Sequence, residues 1–259
     1  MNREVSGDPL LKILREKLLK GLDQAQDRRL SGGEFLAAME EDLDGLPLYP
    51  SERIRSLGLS VAEVLDRSPE LAVELVLGMI SSRAREVRAL AATALSGLAR
   101  FQPGMWTDPV RHLITDDDWE VRDLAAHVFD SQTGAPGAAE FHFQFVCDVV
   151  RGWTLHDDER VRRAATQSLL GFAAEHPEFR PQFLHIIGPL LNDEQEYVRH
   201  SLVAALRALG KMDAALIFDF VESHVEDLTD ESRDVFRLVL DHPFAGRHPQ
   251  RKAELLAKL

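Results

Sequence analysis

The stretch DDDWEVRDLAAHVFD, residues 116–130, holds the residues of this 259-residue chain best suited to chemistry. Trp119 and Asp123 stand four apart, the spacing of neighbours on one side of a helix. An aromatic face attracts cationic groups through its quadrupole. A fixed carboxylate stabilises positive charge that develops at a reacting centre, and it can also orient a water. Most other catalytic signatures are missing: no GxSxG, GxxxxGK(S/T), HExxH or CxxC occurs. The histidines are scattered, and DHPFAGRHP at 241–249 reads as a loop with two His-Pro pairs. No metal and no other cofactor is expected.

The elements that must position the pair emerge from internal repetition. SSRAREVRALAATALSGLA (81–99), TDDDWEVRDLAAHVFDSQ (115–132), HDDERVRRAATQSLLGFA (156–173) and NDEQEYVRHSLVAALRALG (192–210) align with one another. Each has a polar or acidic lead-in, a Val-Arg step and an apolar-periodic helix. The anchoring arginines Arg88, Arg122, Arg162 and Arg199 are separated by 34, 40 and 37 residues, and a weaker fifth copy at 228–243 puts Arg233 a further 34 on. Only the second copy carries the Trp119/Asp123 pair. Asp in the lead-ins suits a helix N-terminus, where it caps free N–H groups and complements the dipole. Val121, Leu124, Ala125 and Val128 form one apolar stripe, as do Val161, Ala164, Ala165 and Ser168/Leu169. Such stripes are too narrow to close a core alone, so the units must stack.

A partner helix is expected before or between the template helices, in 68–80, 103–114, 137–155, 176–191 and 212–225. A period in the thirties to forties with two helices per unit points to an all-α fold. The expectation is a right-handed HEAT-like α-solenoid of stacked antiparallel helix pairs. One continuous domain is expected over 1–259. Residues 1–68 form an atypical N-terminal helical cap, 69–243 the HEAT-like repeats and 244–259 a C-terminal helical tail. TGAPGA at 133–138 is the most open stretch in the middle of the chain.

Bulk properties narrow the class. A hydrophobic fraction of 45% supports a substantial core, and sparse Gly and Pro (16 and 12) disfavour an all-β or disordered chain. Cys147 is the only cysteine, which excludes an internal disulfide or a cysteine-rich zinc site. No apolar run reaches membrane-span length, and the N-terminal sequence lacks the apolar core of a signal peptide, so the expectation is a cytoplasmic protein without a membrane partner. A net charge of −13 argues against nucleic-acid binding, although a basic stripe can sit on an acidic body. Arg83, Arg85, Arg88, Arg160, Arg162, Arg163, Arg199 and His200 all lie at equivalent helix starts and could form such a stripe. The same starts carry Asp116, Asp117, Asp118, Asp157, Asp158, Glu159, Asp193, Glu194 and Glu196, which offset it.

In this order, DDDWEVRDLAAHVFD, HDDERVRRAATQSL and NDEQEYVRHSLVAALRAL resemble the HEAT-like DNA alkylation repair proteins, the AlkD-type alkylpurine DNA glycosylases, over residues 70–225. The resemblance implies a concave face that grips duplex DNA and releases a cationic alkylated purine. It implies catalytic roles for Trp119 and Asp123, which match the family's Trp/Asp pair in type and spacing, and for Arg163 in VRRAA, which matches its arginine. The family's further tryptophan falls near Ala204, where this chain has no aromatic. The chemistry is coherent. An alkylated purine is a good leaving group, bond cleavage builds positive charge on the sugar, and a carboxylate stabilises it while an arginine holds the adjacent phosphate. The basic stripe would contact DNA.

Plainer readings stand beside these. Trp119 could pack as a hydrophobic staple, and Asp123 could be a surface charge paired with Arg122 or Arg88. Arg163 could be structural, and the anchoring arginines could form a ladder with aspartates of adjacent units. Trp106 and Trp153 read as core. The alternative to repair is a non-catalytic scaffold that binds a protein partner on its concave face.

Overall fold

The computed structural model describes residues 9–27, 29–48, 51–99, 102–130 and 139–259. The expected open loop at 133–138 lies outside them. Regular structure among the described residues is helical, without a strand. The chain forms two compact units, Met1–Phe143 and Gln144–Leu259.

The first unit contains α1 (Pro9–Gln26), α2 (Gly32–Leu43), α3 (Glu52–Leu65), α4 (Pro69–Ile80), α5 (Arg85–Leu98), α6 (Pro103–Ile114) and α7 (Trp119–Ala126). Local chemistry explains where several begin. Ser31 and Glu34 form a capping box at α2, and α4 and α6 start with a proline, whose missing N–H costs nothing there. In α1, Leu11, Leu14, Leu18, Leu22 and Ala25 recur at three- and four-residue steps and are buried. The helices pack in two rows: α1, α3, α5 and α7 succeed one another on one side, and α2, α4 and α6 on the other. The most extensive packing in the first row is between α3 and α5. A Cβ at Gly58 would collide with Thr93, whose hydroxyl donates to the Ile54 carbonyl at 3.1 Å. Only glycine leaves room for that contact.

α8 (Ala139–Trp153) spans the division between the units. The second unit continues with α9 (Glu159–Ala165), α10 (Leu170–Glu175), α11 (Arg180–Ile187), α12 (Glu196–Met212), α13 (Ala214–Ser223), α14 (Asp230–Leu240), α15 (Pro243–Gly246) and α16 (Pro249–Leu256). Here α9, α12 and α14 form one row, while α11 reaches the row through α10 and a 3₁₀ turn at Gly188–Asn192, and α13 packs on α12. Both units therefore have the paired, stacked helices of a HEAT-like all-α fold.

Two template helices are shorter than the periodicity suggests. The segment 156–173 is split between α9 and α10 rather than forming one helix. Thr166 and Ser168 turn their hydroxyls back onto the carbonyls of Arg163 and Ala164, and the backbone tightens to three-residue hydrogen bonds at Thr166 and Gln167. α7 ends similarly at Ala126, with His127 and Val128 bonded three residues back. The apolar stripes survive these breaks: Val121, Leu124, Ala125, Val128, Val161, Ala164, Ala165, Ser168 and Leu169 are all buried. The partner segment 176–191 is likewise broken, into two 3₁₀ turns around α11, the second opening at Gly188-Pro189 where proline supplies no donor. Among the described residues, no helix is long and apolar enough to cross a membrane.

Candidate nucleic-acid interface

One backbone device recurs at the start of each template helix. The residue four before the anchoring arginine is the N-cap: Ala84, Asp118, Asp158, Gln195 and Thr229. Asp118 accepts from the backbone N–H groups of Glu120 and Val121, and Asp158 from that of Arg160, as lead-in carboxylates should. Two residues earlier, Asp116, His156 and Asp193 accept a backbone N–H from the residue two further on, at 2.8, 3.0 and 2.9 Å.

The anchoring arginines then tie these turns to their helices. The Nη1 group of Arg88 donates to the carbonyls of Ser82 and Arg83, that of Arg122 to Asp116 and Asp117, and that of Arg162 to His156 and Asp157. Arg199 donates to the Asp193 carbonyl at 2.5 Å. Arg88 also grips Asp116 through Nε and Nη2, at 2.6 and 3.0 Å, and Arg162 grips Asp193 at 2.6 and 3.1 Å. These two pairs are the expected ladder between neighbouring copies. Hydrogen bonding to the carboxylate raises the pKa of each guanidinium above its ordinary value, despite partial burial. Arg122 departs from the pattern, since its buried Nε has no hydrogen-bond partner among the described residues.

The remaining basic residues of the expected stripe have varied surroundings. Arg83 is exposed. Arg85 meets Glu120 at 2.6 Å and Asp118 at 3.4 Å. Arg160 turns back onto its own cap, with Nη2 2.9 Å from Asp158, and this pairing lowers the Asp158 pKa below the usual carboxylate range. His200 is exposed and lies 3.4 Å from Glu196.

The pair that opened the sequence reading lies in the first unit. Trp119 is the first residue of α7, and Asp123 follows one turn later. Trp119 is 59% exposed, whereas Trp106 and Trp153 are 4% and 5% exposed. The indole at 119 is therefore not sealed as a core staple. Asp123 is partly exposed, on a helix whose other side buries Val121, Leu124 and Ala125. Arg163 lies in the second unit, in α9, with its guanidinium carbon 5.4 Å from the centre of the Tyr197 ring. Ala204 is exposed on α12. Tyr197 is the residue that sequence reasoning missed. Its signal was an aromatic two residues before an anchoring arginine, a position where the other copies carry charge (Glu86, Glu120, Arg160 and Glu231).

The first unit thus offers an exposed aromatic one helical turn from a carboxylate on α7, and the second unit a guanidinium against an aromatic ring. Comparison with known proteins agrees with the fold. Solved structures similar to this chain include AlkD2 from Streptococcus mutans, with 20% identity and a TM-score of 0.64, covering 81% of this chain and 98% of that one. Another is Pseudomonas fluorescens AlkC, described as an alkylpurine DNA glycosylase bound to DNA containing an abasic site analogue. It has 18% identity and a TM-score of 0.50, covering 90% of this chain and 64% of that one. No curated protein sequence matches. The family described as DNA alkylation repair enzyme matches residues 50–234, most of the chain, including four copies of the template and the start of the fifth. That match favours repair over a protein-binding scaffold, and the chain belongs to the DNA alkylation repair enzyme family.

Proposed function

We propose that the protein is a DNA glycosylase that hydrolyses the N-glycosidic bond of cationic alkylpurines in duplex DNA. The observation that carries this reading is the surface position of Trp119, one helical turn from Asp123 at the start of α7. In a family of DNA alkylation repair enzymes, that pair has the right chemistry. The Asp123 carboxylate stabilises the positive charge that builds on the deoxyribose as the bond breaks, and it orients the attacking water. The Trp119 face attracts the cationic centre. The base leaves as a neutral purine, so no strong general acid is required.

Arg163 holds a DNA phosphate through its N–H edge. Arg83, Arg85, Arg160 and His200 contribute backbone contacts, and Arg88, Arg162 and Arg199 position the turns that present them. The DNA-bound state of the similar AlkC structure supports DNA as the ligand. Because these contacts neutralise phosphates and release counterions, affinity should fall steeply with salt.

The test is release of 7-methylguanine or 3-methyladenine from methylated duplex DNA. Wild-type protein is expected to release base, and Asp123→Asn to lose on the order of 100-fold in rate. Absence of release by the wild type, or release unchanged by the substitution, overturns the proposal.

A further inference from the structure

We propose that Tyr197 is a positioning residue for Arg163, its ring supporting the guanidinium face so that the N–H edge is aimed at a DNA phosphate. This rests on the functional reading above and adds a residue to it. Three observations carry it. First, the Arg163 guanidinium carbon sits 5.4 Å from the Tyr197 ring centre, within the range of a cation–π contact. Second, Tyr197 is 39% exposed, so the ring forms a surface platform rather than core packing. Third, the seam that carries both residues is held firmly. Arg162 grips Asp193 beside them, and the Thr166 and Ser201 hydroxyls share a buried hydrogen bond of 2.7 Å between α9 and α12.

The geometry suits phosphate recognition. Stacking uses the face of a guanidinium, while phosphate binding uses its in-plane N–H groups, so one arginine can do both. An arginine side chain loses considerable rotamer freedom when it is fixed. A ring already beneath it reduces the ordering left for DNA binding, which improves affinity without touching the reacting atoms. Tyr197 also gives this part of the chain an exposed aromatic, although Ala204 on the same helix is none.

The experiment measures binding of the full chain to a duplex containing an abasic-site analogue, together with KM and kcat for base release from methylated duplex. Tyr197→Ala is expected to weaken binding about 2- to 5-fold, the range of an exposed cation–π contact. It should raise KM and leave kcat within about twofold, whereas Asp123→Asn lowers kcat. Tyr197→Phe keeps the ring and is expected to restore wild-type affinity. In an Arg163→Ala background, Tyr197→Ala should add nothing. Thermal melting of each variant checks that the helices are intact. Wild-type affinity in Tyr197→Ala, or losses that simply add in the double variant, overturn the Tyr197 assignment while the repair reading stands. A wild type that binds no duplex overturns both.

Discussion

The starts of α7 and α9 share a template and use it differently. Each has an aspartate N-cap, an anchoring arginine that donates to two lead-in carbonyls, and a buried apolar stripe. The differences lie at the positions the core does not occupy. At α7 the residue after the cap is the exposed Trp119, and Glu120 pairs with Arg85 of α5. At α9 the second residue after the cap is Arg160, which folds back on Asp158, and the residue after the anchor is Arg163 on the Tyr197 ring. Buried positions and the anchoring arginine make the scaffold. The flanking positions are released from that duty and can carry chemistry.

The sharpest way to test this division is to compare tryptophans. Trp106→Ala or Trp153→Ala should cost about 3–5 kcal/mol in denaturant unfolding, as for large buried side chains. Trp119→Ala should stay within about 0.5 kcal/mol while impairing base release. A comparable loss of stability at 119 would return that indole to the core.

The next effect concerns the ladder. Asp116→Ala and Asp193→Ala each strand a partly buried guanidinium, and about 2–3 kcal/mol is expected for each by chemical denaturation. That figure is below the cost of breaking a fully buried pair, because both arginines keep some exposure. Removing a carboxylate makes the chain less negative, yet neither change should improve base release if these residues only hold turns. Faster release in either variant would blur the distinction between scaffold and site.

The caps come next. Asp118→Ala and Asp158→Ala should each lose about 1 kcal/mol. Asp158 also carries a pH signature. The side-chain hydrogen bond from Arg160 keeps the Asp158 pKa below normal, so its contribution is present above the ordinary aspartate pKa and is lost as pH falls through the lowered value. Asp158→Asn should flatten part of the acid limb of the stability curve, which a urea titration at several pH values would show.

The last effect lies away from the helix starts and is confined to alkaline pH. Burial pushes the Cys147 thiol up to about 12. The folded chain holds this proton where the unfolded chain, near 9, has lost it. Its contribution is therefore full below pH 9 and declines as pH rises toward 12. Cys147→Ala should remove that alkaline decline, and a thiol reagent at neutral pH should label the wild type only on unfolding.

Much of this was legible in the chain itself. Apolar residues at three- and four-residue steps mark helices because burial of one face is what makes a short helix stable. Repetition of one lead-in with an arginine marks stacking units, and the carboxylates of the lead-ins mark helix starts. The pairing of Trp119 with Asp123 on one side of α7 follows from helical periodicity alone. The breaks after Ala126 and Ala165 were not legible, because tightening to three-residue hydrogen bonds, joined after Ala165 by competing Thr166 and Ser168 hydroxyls, is decided by local geometry that periodicity does not encode. Tertiary structure alone decided which arginines are tied to carboxylates or carbonyls, that Trp119 stays exposed, and that Tyr197 lies against Arg163. The reason is physical. A helix's own periodicity fixes which residues share a face, but only the neighbouring helix determines what that face meets, and residues 34 apart in the sequence come into contact through packing.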